Sequence, residues 1–462
     1  MIPLQLSALA VHVDGQLIGD DRCIEAVTTD SRNVPAAALF VALRGERFDA
    51  HDFAADALAG GAAALVVERP LPLSCPQVVV ADSRKALGQI GALVMAAVAP
   101  ATVAVTGSAG KTTVKEMLAA ILSQQGALLA TRGNFNNEIG VPLTLLRLSA
   151  ADRYAVIELG ANHAGEIAYS VDLVKPQAAI ITNAAAAHLE GFGSIDGVAR
   201  AKSENFLGLP DDGVAIFPAD TPFTDLWTQC NAQRRICTFA IDDTQASFHA
   251  RDLTMNADGC AHFTLCCPQG EVAISLPLPG RHNVANALAA AAGALALGAS
   301  LATVARGLAQ APTVTGRLNA MRLNAELLLI DDSYNANLQS VRAAIDLLTS
   351  YGGRRILVLG DMGELGADAR RYHAEVGAYA AAQGVDLLLT CGELSQAASA
   401  AAAERGQHFA SQAPLVAALT QLLQQQPQAT TVLVKGSRSA RMEQVVAALI
   451  SHFNPVREDA QC

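Results

Sequence analysis

Residues 105–113 read VTGSAGKTT, and the interpretation of this stretch decides the fold. The widespread phosphate-loop pattern G-x-x-x-x-G-K-[ST] asks for a glycine five residues before Gly110, where this chain has Val105. Only Gly107 and Gly110 remain to shape the turn. Upstream, Thr102 to Thr106 is a short apolar run suited to a buried strand. Downstream, Lys111 to Gln125 places Val114, Met117, Leu118, Ile121 and Leu122 on one helical face, and Gly126 is the expected stop. Strand, glycine-bearing turn and helix N-terminus in that order aim backbone N–H groups and the positive end of a helix dipole at one point, where a phosphate fits. Lys111 would neutralise β- and γ-phosphate charge, and the Thr112 hydroxyl would ligate Mg²⁺. The bland alternative is a surface turn with a lone capping lysine.

Further strands are expected at Tyr154 to Leu159 and Ala178 to Thr182, separated by helical patterns. Continuous apolar strands alternating with helices predict a parallel sheet covered on both faces. Before it, short apolar runs (Ala38 to Leu43, Ala63 to Val67, Val78 to Val80) cut by turn residues suit a small mixed α/β domain. After it, an Ala-rich segment, Asn283 to Gly307, reads as one or two buried helices broken near Gly298. The alternation then resumes at Leu327 to Ile330, Ile356 to Leu359, Leu387 to Leu389 and Val432 to Val434, a second doubly wound pattern. The expected fold is α/β in three domains: a small mixed domain over 1–83, a central P-loop-type parallel-sheet ATPase domain over 84–314, and a Rossmann-like domain over 315–462.

Composition narrows the function. A chain of 462 residues should divide into about three domains at ~100–200 residues each. With 43 acidic and 32 basic residues the formal net charge is −11, which argues against a nucleic-acid backbone as partner. The cysteines, Cys462 included, form no C-x-x-C pair and read as reduced structural thiols. No secretory signal is legible in MIPLQLSALAVHVDGQ, so a cytoplasmic location is expected. The uncharged stretch from Ile90 to Gly110 approaches the length of a membrane span, but Pro100 and three polar residues interrupt it; a helix end, a turn and a buried strand are expected, with no membrane partner.

The TGSAGKTT loop resembles that of the Mur ligases, whose pattern begins T-G-[ST]-x-G-K-[ST]. GNFNNEIGVP (133–142), VIELGANHAGEI around Glu158, ITNAAAAHLEGFGS around His188, ARAKSENF around Lys202 and GRHNVANALAA (280–290) are similar to further signatures of that family. Within it, DDSYNAN (331–337), VLGDMGELG (358–366) and VKGSRSARME (434–443) resemble the member that adds D-alanyl-D-alanine to a UDP-N-acetylmuramoyl-tripeptide, the last cytoplasmic step in making the peptidoglycan precursor. TTDSRNVPAAALFVALRGERFDAHDF (28–53) looks like the family's uridine-nucleotide unit. Leu338 stands where the family usually has a proline, and little functional effect is expected from it.

This resemblance implies an ATP- and Mg²⁺-dependent amide ligase. The tripeptide carboxylate would attack the γ-phosphate to give an acyl phosphate, which the amine of D-alanyl-D-alanine then attacks. It also implies roles. Thr106, Gly107, Ser108, Ala109, Gly110, Lys111, Thr112 and Thr113 would cradle the nucleotide, with Asn283, Asn286, Arg317 and Asp332 completing its site. Thr112, Glu158, His188 and a carbamylated Lys202 would hold the metals, and Lys111, Glu158, His188 and Lys202 would carry catalysis. Ser31, Arg32, Phe40 and Arg44 would hold the uridine diphosphate end, and Asn134, Asn137, Tyr334, Asn335 and Asn337 would contact substrate. Lys435, Ser437 and Arg438 would grip the dipeptide carboxylate. Because these residues lie in different domains, interdomain closure and a monomer are expected. Two alternatives stand beside it: a folylpolyglutamate-type synthase, which gives the 28–53 stretch no role, and a P-loop nucleotide switch, which needs no third domain bearing DSYNAN and KGSR.

Overall fold

The computed structural model describes residues 1–45 and 48–454; Cys462 lies outside them. Three large sheets divide the chain. The first has five strands in the spatial order Gln16–Ile18, Gln77–Val79, Ala64–Val67, Ala38–Val41, Ala26–Thr28, parallel except for its first pair. The second has nine, and the third six.

In the nine-stranded sheet the strand that feeds the glycine turn, Ala101–Thr106, lies between Tyr154–Glu158 and Ala178–Ile181, parallel to both. The chain leaves this strand toward one side of the sheet and later returns to the other, so a crevice opens at the strands' carboxyl ends. That crevice receives the glycine turn and Glu158. The turn leads into helix Lys111–Leu122, whose Val114, Met117, Leu118, Ile121 and Leu122 are all buried as the periodicity requires. The Ala-rich segment forms two helices, His282–Ala296 and Leu301–Ala309, parted at Gly298 in the left-handed region (φ +86°). Small residues let both lie close against helix Lys111–Leu122: a Cβ on Gly307 would stand 2.5 Å from the Ile121 Cα. The stretch from Ile90 to Gly110 is the end of helix Ser83–Val98, a turn and the strand Ala101–Thr106. No helix among the described residues is long and apolar enough to cross a membrane.

One departure concerns the sheet's far edge. Phe248–Met255, Cys260–Cys267 and Gly270–Pro279 extend it as antiparallel hairpins, so the sheet is not parallel throughout. The burial of Gly270–Pro279 alternates along much of its length, because one face meets the Ala-rich helices and the other faces solvent. Such alternation carries no continuous apolar run, the feature that marks the parallel strands in the sequence.

The six-stranded sheet runs Asn319–Arg322, Leu327–Asp332, Thr430–Lys435, Arg354–Gly360, Leu387–Cys391, Gly406–Phe409, again parallel after one antiparallel edge pair. Its register places Asp332 directly beside Lys435 at the carboxyl ends of adjacent strands. Helix Leu338–Ser350 follows, and Asn337 caps it through a reciprocal pair with Ser340. Leu338, at the first helical position, therefore replaces the family's proline without loss of the cap.

Candidate active site

Backbone shape comes first. Gly107 (φ +149°) and Gly110 (φ +81°) occupy conformations that side chains resist, and each is also crowded: a Cβ would lie 1.9 Å from Thr182 Oγ1 at Gly107 and 2.5 Å from Asn286 Oδ1 at Gly110. The turn is held from below. Thr182 Oγ1 donates to the Ala109 carbonyl (2.6 Å), Ala109 N donates to Asn183 Oδ1 (2.9 Å), and Ser108 N donates to the Asn183 carbonyl (3.1 Å). The Thr106 hydroxyl donates to the Leu159 carbonyl (2.7 Å) and Ser108 Oγ to the Ala185 carbonyl (3.2 Å), so these side chains shape the turn instead of facing a ligand. The first helical bond is Val114 N to the Gly110 carbonyl, which leaves the N–H groups of Lys111, Thr112 and Thr113 at the helix mouth. Lys111 Nζ curls back onto the Gly107 carbonyl (2.7 Å), and burial pushes its pKa below the ordinary lysine value, against the pull of Glu158.

Glu158 ends its strand almost fully buried. Oε1 accepts from Asn136 Nδ2 at 2.8 Å, while Oε2 is buried with no partner. A buried carboxylate oxygen left unpaired is costly unless a cation completes it. Among the described residues no cluster of three or more His, Cys, Asp or Glu could hold a metal alone. Mg²⁺ usually shares its shell between one or two protein oxygens, waters and substrate phosphates, so Glu158 and the buried Thr112 hydroxyl fit it.

Neither expected asparagine, Asn134 or Asn137, bonds to Glu158; Asn136 between them does. Asn137 instead accepts from Gly140 N (2.8 Å) to start helix Gly140–Leu145, and Asn134 is exposed. This is a correction. GNFNN offers three equivalent amides, and only the fold of the turn selects among them.

His188 and Lys202 flank the same aromatic ring, Phe192, with the Lys202 ammonium 5.6 Å from its centre. Burial, reinforced by the charge of Lys111, pulls the Lys202 pKa down to about 7. His188 takes a left-handed backbone conformation (φ +53°), and its Nδ1 lies 2.6 Å from Glu364 Oε2, at an angle outside hydrogen-bond geometry. Glu364 comes from the C-terminal sheet's side, and contact with His188 holds its carboxyl below the usual range.

Opposite the glycine turn stand the residues of the third sheet. Asn337 Nδ2 donates to the Ser108 carbonyl at 3.5 Å, which ties the two halves together. Arg317 lies 4.5 Å over the Tyr334 ring. Asn283 and Asn286 are buried and bond to each other (2.9 Å), with Asn286 against Gly110. Burial pulls the neighbouring His282 down to about 4, so it is neutral at physiological pH. Arg317, Asp332, Asn335, Asn337, Asn283 and Asn286 all line one cleft with Ser108 to Gly110. A second cleft of about 400 Å³ adjoins it and shares Ala109, Gly110, His282 and Asn286.

Lys435 is placed differently from its expected role. It is buried, its Nζ lies 2.5 Å from Asp332 Oδ2 and donates to the Asn335 carbonyl (2.9 Å), and it lines this same cleft. Strand register pairs it with Asp332, so its charge is not free for a dipeptide carboxylate. Ser437 is buried and Arg438 is exposed, paired with Glu443 at 3.1 Å.

In the first sheet, Ser31, Arg32 and Phe40 line a cleft of about 750 Å³. Arg32 is engaged by Asp30 in a two-pronged pair, and Phe40 is a buried floor residue. Arg44 is exposed beside this cleft and not in its lining. Sequence reasoning missed Phe48 and Phe53, which also line the cleft and stay 60% and 45% exposed. Exposed aromatic faces in a chain with only 4% aromatic residues were the available signal, since they suit stacking on a planar base.

Comparison with known proteins decides the family. The chain matches the Mur ligase family catalytic domain over residues 23–124, the Mur ligase middle domain over 105–294, and the Mur ligase glutamate ligase domain over 316–438. It is 51% identical to the UDP-N-acetylmuramoyl-tripeptide--D-alanyl-D-alanine ligase of Escherichia coli (strain K12), over 97% of this chain and 99% of that one. This chain belongs to the Mur ligase family.

Solved Mur ligases superpose throughout. Acinetobacter baumannii MurF gives a TM-score of 0.93 at 41% identity, covering 98% of this chain and 99% of that one. MurF from Thermotoga maritima, solved in complex with ADP, gives 0.83 at 26% identity over 93% and 97%. As a Mur ligase the chain is an ATP-dependent α/β enzyme of three sheet-centred units, and the nucleotide-switch alternative falls away.

Proposed function

We propose that this Mur ligase joins D-alanyl-D-alanine to the terminal carboxylate of a UDP-N-acetylmuramoyl-tripeptide, with ATP converted to ADP and phosphate. One observation carries the reading: the glycine turn, Ser108 to Gly110 with Thr113, faces Arg317 and the Asp332–Lys435 pair of another sheet across a single cleft. Bound Mg-ATP supplies a γ-phosphoryl group that turns the substrate carboxylate into an electrophile able to accept an amine. The protein's own groups make that encounter of anions feasible. Lys111 and the open N–H groups of helix Lys111–Leu122 present positive charge where phosphates would lie, at no cost in reorganisation. Glu158, its Oε1 fixed by Asn136, keeps an unpartnered Oε2 that would ligate a cation. His188 and Lys202 fit a second cation, provided Lys202 carries a carbamate. Its neutral amine can add to carbon dioxide with loss of a proton; Glu204 and Glu166 act on it only through space, and among the described residues no carboxylate pairs with it directly.

Residues 1–83 act as the uridine-nucleotide unit, 84–314 as the ATP unit and 315–462 as the unit presenting the dipeptide. Phe48 and Phe53 stack on the base, and Ser31 and Arg32 approach the diphosphate. ATP and a uridine-nucleotide precursor as substrates support a cytoplasmic enzyme. The test is phosphate release measured with both substrates, with each alone, and with neither. Release only when both are present is expected; equal release without the dipeptide would overturn the reading.

A further inference from the structure

We infer that Glu364 is the docking residue for the ammonium group of the incoming dipeptide, an inference that rests on the ligase reading above. Three observations converge on it. First, Glu364, like Asn337, reaches from the third sheet to the catalytic side of the second: its carboxylate stands 2.6 Å from His188 and acts electrostatically on Lys111. An amine must arrive there to meet an activated carboxylate. Second, the turn that carries it abuts the turn suited to a carboxylate. A Cβ built on Gly363 would lie 3.6 Å from Ser437 Oγ and 3.9 Å from Ser439 Oγ, and Arg438 lies between those serines. An acceptor for an ammonium thus adjoins a turn bearing hydroxyl and guanidinium groups for a carboxylate, the two ends of a zwitterionic dipeptide; before the ligand arrives Ser437 and Ser439 share a hydrogen bond (3.0 Å) and Arg438 is held by Glu443.

Third, the turn is built at a cost. Glu364 has φ +61°, a conformation that glutamate rarely adopts, and it is held by Leu189 N donating to its carbonyl (3.0 Å). Behind it, buried His373 accepts from Met362 N (2.8 Å) and shares its other nitrogen with the Ala369 carbonyl, fixing the base of the turn. A solvated glutamate needs no such support. With a side chain 58% exposed, Glu364 is available to a ligand and is not part of the core.

The experiment compares wild type, Glu364→Gln and Glu364→Asp. Two ligands are used: D-alanyl-D-alanine as substrate, and D-lactoyl-D-alanine, in which a hydroxyl replaces the ammonium, as competitive inhibitor. Loss of a charge-assisted contact in Glu364→Gln should raise KM for D-alanyl-D-alanine by about tenfold or more, leaving KM for ATP and the UDP-tripeptide within about twofold. The inhibition constant of D-lactoyl-D-alanine should hardly move, and Glu364→Asp should recover part of the loss. Equal weakening of both ligands would mark a merely structural role and overturn the inference, as would an unchanged KM for the dipeptide. Wild-type enzyme inactive on both substrates together would instead overturn the ligase reading, and this inference with it.

Discussion

At Lys111 two demands meet: the ammonium must survive burial and must face an anion. Lys111→Ala is expected to cut turnover by about 10³-fold or more, since an aligned charge at the reacting group is lost. Binding of the UDP-tripeptide, whose nucleotide end sits on another sheet, should stay within about twofold, as titration calorimetry would show. Lys202 gives a pH-dependent outcome. Its folded pKa, about 7, lies below the ordinary lysine value, so between about pH 7 and pH 10 the unfolded chain binds a proton that the folded protein does not. Stability attributable to this residue therefore rises with pH across that window, and the burial penalty is fully present below it. Lys202→Met should be more stable than wild type at pH 7, with the gap narrowing by pH 9, which denaturant titration at the two pH values measures. Proximity at this scale was legible: Lys111 acts electrostatically on Lys202 and feels Glu158, and His188 and Lys202 share the Phe192 ring. Asn136 was not, because three neighbouring amides are chemically alike and only the turn's path decides which one meets Glu158. Lys435 misled for a related reason, as the residue it pairs with lies far away in sequence and is fixed by sheet register.

Elements show why the glycine turn tolerates one missing glycine. Its shape is set by Gly107 and Gly110 and by the strand Ala178–Ile181 with Thr182 and Asn183 beyond it, and Val105 is simply the penultimate buried residue of the preceding strand. Gly107→Ala meets both a disallowed conformation and the Thr182 hydroxyl, so a loss of about 1–3 kcal/mol in stability is expected, together with weakened nucleotide binding. Helix Lys111–Leu122 also carries Lys115, buried with its Nζ on the Thr131 carbonyl (2.7 Å); the Thr131 hydroxyl in turn accepts from Glu158 N (3.0 Å). Lys115→Met should leave that carbonyl unpaired, costing about 1–3 kcal/mol in a chemical melt. Parallel strands and the helices between them were readable because burial on both faces leaves unbroken apolar runs. The hairpins from Phe248 to Pro279 were not, since a half-solvated strand dilutes its apolar signal.

Across the whole molecule, the second and third units touch through few polar contacts: Asn337 with Ser108, Glu364 with His188 and Leu189, and Tyr351 Oη donating to the Asp258 carbonyl (2.8 Å). A ligand that bridges them should couple their unfolding. Mg-nucleotide at about 100 times its Kd is expected to stabilise the fold by roughly 2.7 kcal/mol and to merge separate melting steps into one in calorimetry, and chelating the metal should undo both effects. The first and second units are related otherwise. A single apolar core runs from Leu6 and Leu9, through Leu87, Ile90 and Val94 of helix Ser83–Val98, to Ile157, Val171 and Val174. Exchanging the uridine-recognition unit between relatives is therefore not a matter of cutting at the last strand of its sheet. Helix Ser83–Val98 packs on helices Gly140–Leu145 and Glu166–Val174 of the second unit as well as on the first unit, so a chimera joined at residue 83 and one joined beyond residue 99 both cut through this core; each should aggregate unless the residues facing the helix are exchanged with it.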